Sequence, residues 1–210
     1  GITSNPSIFH NAIAKSNDYD AALKPMAWAN WSAEDIFFQL AVEDIQAAAD
    51  CFLPLYQSTA GGDGYVSLEV SPYLAHDTEA TLQQALALRS RVNRPNLMVK
   101  IPATKAGLPA IRKAIAAGIN VNVTLIFSIQ RYMEVMDAYL SGLEDRLAAG
   151  LPLGEIASVA SFFVSRVDSK VDSLLQKAAS RNPDQAEEIS SLLGKAAVAN
   201  SRLAFFKFQE

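Results

Sequence analysis

"NLMVKIPATKAGLPAIRKAIAAGINVNVTLIF", residues 96–127, holds two short apolar runs separated by a helical one. The first, 96–101, is a strand that Pro102 ends. The middle run, 107–118, has helical spacing and closes on glycine. The last, 119–127, is a second strand. A strand, a helix and a strand within about 30 residues is the sequence pattern of a βαβ unit in a parallel sheet. Lys100 is the awkward residue. Leu97, Met98, Val99 and Ile101 around it are apolar, and a buried ammonium is costly unless it is paired or neutral. Two plain alternatives are a lysine that snorkels to the rim or one held in a structural ion pair. The sharper alternative is a nucleophilic amine.

Working outward, the alternation continues. Residues 63–70 place Val66, Leu68 and Val70 on one face and Ser67 and Glu69 on the other. Residues 78–92 are helical. So are 128–150, with Ser128 as N-cap, and 32–56, with Ser32 as N-cap. Residues 155–164 form a strand, and helical stretches follow over 169–180 and 183–210. No glycine-rich phosphate loop follows any strand, which disfavours a dinucleotide-binding sheet. The expected fold is α/β, a (β/α)8 TIM barrel. That fold needs about 250 residues, and this chain has 210. Counting the stub "GITS", five strands are present. The expectation is one barrel domain over 1–210, cut at both ends, with the first and the last strands missing. An open barrel of this kind has two bare edges, so the fragment alone is expected to be inactive and the parent protein active.

Composition narrows the function classes. Half the residues are hydrophobic, 19% are charged, and the formal charge is −4. That argues against a general nucleic-acid or membrane-surface binder. The single cysteine, Cys51, excludes an intrachain disulfide and points to an intracellular setting. Its helical context suggests a small core residue. Two histidines and one cysteine supply no zinc-type ligand set, so no metal and no cofactor are expected. No apolar run approaches the length of a membrane span.

In such a barrel the chemistry sits at the carboxyl ends of the strands. Those ends here carry Asn5, Glu69, Lys100 with Thr104, the series Asn120, Asn122 and Thr124, and Ser161 with Arg166 just beyond. Taken singly, each suits a satisfied interior polar residue. Five strands delivering polar groups to one end, one of them a lysine, suit a catalytic set. Desolvation favours a neutral amine, and a neutral amine condenses with a carbonyl to a Schiff base, an electron sink for carbon–carbon cleavage. Glu69 could then position a water or act as acid/base, with Thr124 and Asn122 holding that water or a substrate hydroxyl. Arg166 has the fork that suits a phosphate. The alternative for Glu69 is a simple ion pair with Lys100. His10, His76, Trp28 and Trp31 are given surface, packing or capping roles. Phe162 and Phe163 are half core, with one able to face substrate. "RLAFFKF" (202–208) is a helix face that packs on the barrel or on a neighbouring subunit, so a homo-oligomer is compatible.

"GITSNPSIF", "SLEVSP", "LMVKIPAT", "GINVNVTLIFS" and "SFFVSRVD" resemble the signature segments of transaldolase, in the family's order and over essentially the whole chain. "TSNPS" and "KIPAT" are the most specific. "VSPYLAHDTEAT" is similar to the longer bacterial members. The resemblance implies a metal-free class I barrel enzyme, cytoplasmic, acting in the non-oxidative pentose phosphate pathway. It would move a dihydroxyacetone unit from a ketose phosphate (sedoheptulose 7-phosphate or fructose 6-phosphate) to an aldose phosphate (glyceraldehyde 3-phosphate or erythrose 4-phosphate). It implies Lys100 as the Schiff-base lysine, with Glu69 and Thr124 activating the water. Asn5 and Asn122 would contact the dihydroxyacetone moiety. Ser161 and Arg166 would contact substrate, Arg166 at the phosphate. The family's first strand carries an acid/base aspartate that lies outside this chain, as does a further phosphate contact from the last strands. "SFFVSR" stands where many members have proline and glycine. The alternatives are a fructose-6-phosphate aldolase, which releases free dihydroxyacetone, and a non-catalytic barrel remnant.

Overall fold

The computed structural model describes residues 1–210. Five strands, β1 (Ile2–Thr3), β2 (Val66–Glu69), β3 (Leu97–Pro102), β4 (Val121–Ile126) and β5 (Ser158–Phe162), pair in sequence order, every pair parallel. Parallel neighbours need crossover connections. These are supplied by α3 (Ala33–Ser58), α4 (Thr78–Val92), α5 (Gly107–Ala116) and α6 (Ile129–Ala148). The result is five consecutive strands of a (β/α)8 arrangement, as the alternation predicts.

The strands sort their residues by period two. One face carries Val66, Leu68, Val70, Leu97, Val99, Ile101, Val121 and Val123, all buried in a single apolar cluster with the helices. Ala41, Val42 and Ile45 of α3, Ala85 and Leu88 of α4, and Ile111 and Ile115 of α5 meet them there. Burying about 25 cal/mol per Å2 of apolar surface makes this layer the main source of stability. Helices α5 and α6 approach closely because Gly142 has no side chain: a Cβ there would lie 2.7 Å from the Arg112 carbonyl oxygen. Helix α5 ends at Gly118, whose φ of 88° favours glycine. Ser32 and Ser128 cap α3 and α6 as expected, accepting from the Asp35 and Arg131 amides at 3.1 and 3.2 Å. Asp77 caps α4 in the same way.

Several expectations need correction. Residues 6–28, which carry no clear strand or helix pattern, fold as α1 (Pro6–Lys15) and α2 (Asp20–Trp28). "SNPS" is a helix start: Asn5 is the N-cap and Pro6 occupies the first turn, where its missing N–H costs nothing. Trp28 therefore ends a helix, and both Trp28 and Trp31 are exposed rather than packed. Cys51 is exposed, not core. The buried positions of α3 are Phe38, Leu40, Ala41, Val42, Ile45 and Ala49, and Cys51 falls off that stripe. The last helical stretch is broken. After α7 (Ser165–Arg181) come the short α8 (Ala186–Ser190) and then α9 (Ala196–Gln209). Gly194 turns the chain between them at φ 69°, and Asp168 accepts from the Ala197 amide at the start of α9. No helix is long and apolar enough to cross a membrane.

Candidate active site

The opposite face of the sheet is polar. Register places Glu69, Lys100 and Asn122 side by side across β2, β3 and β4, so their side chains share a face. Ser67 and Met98 form the pair below, and Thr124 lies opposite Pro102 above. Lys100, Asn122 and Thr124 are 6%, 6% and 3% exposed, so this layer is removed from bulk water.

Lys100 Nζ lies 3.3 Å from Glu69 Oε2 and donates to the Ser4 carbonyl at 2.9 Å. The second bond reaches past β2 to the end of β1. Ser4 is itself fixed, because its hydroxyl and amide both donate to the Ser67 carbonyl, at 2.7 and 3.2 Å. A second chain of hydrogen bonds crosses the same face. Ser161 Oγ donates to Asn122 Oδ1 at 2.7 Å, and Asn122 Nδ2 donates to Ser67 Oγ at 3.1 Å. Five of the expected residues thus fall on one surface: Glu69, Lys100, Asn122, Thr124 and Ser161. The ion pair weighed against catalysis for Glu69 is present as well.

The other expected residues stand at the margin. Asn5 follows Ser4 directly, and its side-chain oxygen accepts from the Ile8 amide at 2.9 Å as the α1 cap. Arg166 is exposed in the first turn of α7, with its guanidinium carbon 4.8 Å from the Phe163 ring centroid. Asn120 sits at the amino end of β4 and ties strands together: its oxygen accepts from the Ala157 amide at 2.9 Å. Thr104 clamps loops, donating to the Ala75 carbonyl at 2.5 Å and accepting from the Gly107 amide at 2.9 Å. With Thr78 bonded to the Ala106 carbonyl at 2.7 Å, it binds the loops after β2 and β3 into one rim.

Ser4 and Ser67 were not chosen from the sequence. Ser67 is two residues before Glu69, the same-face spacing of a strand, and that was the available signal. Ser4 acts through its backbone carbonyl, which carries no residue-type signal. His10 and His76 are exposed, in keeping with surface roles. A cavity of ≈ 740 Å3 opens beside Glu69, walled by Pro6, Ile13, Phe37, Val70 and Tyr73.

The family model described as transaldolase/fructose-6-phosphate aldolase matches residues 1–209. The chain belongs to the transaldolase/fructose-6-phosphate aldolase family. Among curated relatives, "Transaldolase 1" of Streptomyces avermitilis is 52% identical over all 210 residues, which cover 54% of that protein. The "Transaldolase" of Saccharopolyspora erythraea is 52% identical and that of Mycobacterium tuberculosis 50%, each over the whole of this chain and 55% of the relative. The chain therefore spans about half the length of the curated relatives it matches.

Proposed function

We propose that the protein carrying this chain is a transaldolase working through a Schiff base on Lys100, with residues 1–210 forming part of one barrel domain. The observation that carries the reading is a buried amine held between a carboxylate and a carbonyl on the polar face of the sheet. When neutral, that amine has two N–H bonds and one lone pair. One hydrogen is accepted by the Ser4 carbonyl at 2.9 Å, and Glu69 Oε2 lies 3.3 Å from the nitrogen as a charged neighbour rather than a hydrogen-bond acceptor. The lone pair is left free to attack a ketose carbonyl.

Attack at the carbonyl carbon gives a carbinolamine, and loss of water gives the iminium ion. The bond between C3 and C4 of the ketose then breaks as the C4 hydroxyl gives up its proton. The aldose leaves, and the electron pair is held as an enamine. Attack of that enamine on an acceptor aldehyde forms the new bond, the new alkoxide takes a proton, and water hydrolyses the iminium to return Lys100. Glu69 and Thr124 would hold the water consumed and released at the amine and move its protons. Asn122, steadied by Ser161 and Ser67, and Asn5 would bind the dihydroxyacetone hydroxyls. Ser161 would also meet substrate, and Arg166, on its Phe163 platform, would take the phosphate. Sugar phosphates in the cytoplasm, in the pentose phosphate pathway, are the substrates of this reading.

Trapping tests it. The full-length protein is incubated with fructose 6-phosphate, reduced with borohydride and mapped by peptide mass. The expected result is a dihydroxyacetone adduct on Lys100, and its absence sinks the mechanism. Adding erythrose 4-phosphate should yield the transfer product. Release of free dihydroxyacetone with no transfer would assign the aldolase branch of the family instead.

A further inference from the structure

We propose that Leu125 is a positioning residue for Thr124: its left-handed backbone forms a bulge that ends the inward alternation of β4 at that threonine. The inference rests on the transaldolase reading and extends it to a residue with no chemistry of its own. Leu125 has φ 60° and is 36% exposed. A bulky residue at positive φ is an outlier that persists only where its surroundings enforce it.

The register shows what enforces it. Val123 pairs with Ala160, and the next pair is Ile126 with Phe162. Two residues of β4, Thr124 and Leu125, therefore oppose the single Ser161, which is the count of a β-bulge. Strict alternation from Asn122 and Thr124 would turn Ile126 onto the polar face. Instead Ile126 is fully buried in the apolar cluster. The extra residue lets Thr124 point to the lysine face while Ile126 points to the helices.

Both sides of the bulge are fastened. The Thr124 carbonyl accepts from the Ala103 amide at 2.8 Å, and the Ile126 carbonyl accepts from the Phe163 amide at 2.9 Å. Beyond it, Phe127 meets the Phe163 ring at 5.0 Å between centroids, the same ring that lies under Arg166. One backbone conformation thus returns Ile126 to the apolar layer directly after Thr124, which anchors the threonine's end of the strand, and it places the aromatic platform. The Leu125 side chain is largely dispensable here, and its dihedral angle is not.

The test compares residues by their tolerance of positive φ, in the full-length protein, with kcat and KM for transfer from fructose 6-phosphate to erythrose 4-phosphate. Valine is β-branched and resists the conformation, whereas asparagine accepts it. Leu125→Val should lower kcat about tenfold with KM changed less than about twofold, since misplacing a reacting group reduces turnover rather than affinity. Leu125→Asn should recover most of that loss. In a Thr124→Ala background the valine substitution should cost nothing further, because the group it misplaces is gone. Wild-type kcat in Leu125→Val overturns the inference. So does an equal loss in Leu125→Asn, or a loss that persists in the Thr124→Ala background. If Leu125→Val does not fold, Leu125→Thr, β-branched but less apolar, takes its place in each comparison. A wild-type protein that forms no Lys100 adduct refutes the transaldolase reading itself, and that failure shows before any variant is made.

Discussion

The two faces of β2, β3 and β4 are built from alternate residues of the same strands, yet they obey opposite rules. The helix-covered face holds Leu68, Leu97, Val99, Ile101 and Val123, each at most 2% exposed, with no polar side chain among them. The other face holds Lys100, Asn122 and Thr124, nearly as withdrawn from solvent, with Glu69 at 15% side-chain exposure; Glu69 and Lys100 form an ion pair, and Asn122 is hydrogen-bonded to Ser67 and Ser161. Burial is nearly the same on both sides, while the chemistry is not. One face supplies folding energy through transfer of apolar area. The other spends some of it, because buried charges are stable only when their partners are in place. The comparison teaches that, on the proposed function, stability and reactivity are separated by one residue of sequence, and each prediction below sets one face against the other.

The largest effect belongs to the polar face. In the full-length protein, Lys100→Ala should reduce turnover by at least about 10^4-fold, the scale of losing a covalent nucleophile, and should abolish borohydride trapping. Residual transfer above that level would remove Lys100 from the chemistry. The mirror experiment is Leu97→Ala on the apolar face of β3. A fully buried leucine truncated to alanine costs about 2–5 kcal/mol, measured by denaturant unfolding, with kcat kept within about twofold in the folded protein. A fall in kcat without a fall in stability would dissolve the division between the faces.

An intermediate effect tests whether the polar face is a burden on the fold. Lys100→Met alone strands the Glu69 carboxylate, whose side chain is 15% exposed, and should destabilise by about 2–3 kcal/mol, somewhat under the value for a fully buried pair. Adding Glu69→Leu should restore wild-type stability or exceed it by about 1–4 kcal/mol, because an apolar pair carries no desolvation cost. Equal loss in the single and the double variant would mean that the pair contributes net stability.

The legibility of the two faces differed for the same physical reason. The apolar face was plain in the sequence, since Val66, Leu68 and Val70 alternate with Ser67 and Glu69 and period two is strict there. The five strands, their parallel order and the polar set at their ends followed from that alternation with the helical runs between. What was hidden depended on backbone geometry rather than residue type. The β4 bulge is invisible because "VNVTLIF" contains no glycine to announce a positive φ. Ser4 contributes a carbonyl that any residue would supply. Helices α1 and α2 are short, 10 and 9 residues, and bury one residue between them, Phe9, so no long apolar stripe marked them. Cys51 showed the reverse error: its apolar helical context suggested the core, but its angular position on α3 faces water.

The smallest effect lies in the outer helix layer, where charges are paired in water. Arg112 of α5 contacts Asp145 of α6 through two bonds of 2.6 and 2.7 Å. The guanidinium holds the Asp145 carboxyl below the usual aspartate range. A carboxylate whose folded pKa is depressed stabilises the fold above its unfolded pKa, near 4, and loses that contribution as pH falls through the folded value. Asp145→Asn should therefore lower Tm by a small, constant amount from about pH 5 to 8, since exposed pairs contribute little. The gap between wild type and variant should close as the pH drops below about 4. Added salt should narrow it at neutral pH, because screening acts on exposed charges. A gap that widens in acid would show that the carboxyl is raised rather than lowered, and would move Asp145 from the class of solvated pairs to that of the buried polar face.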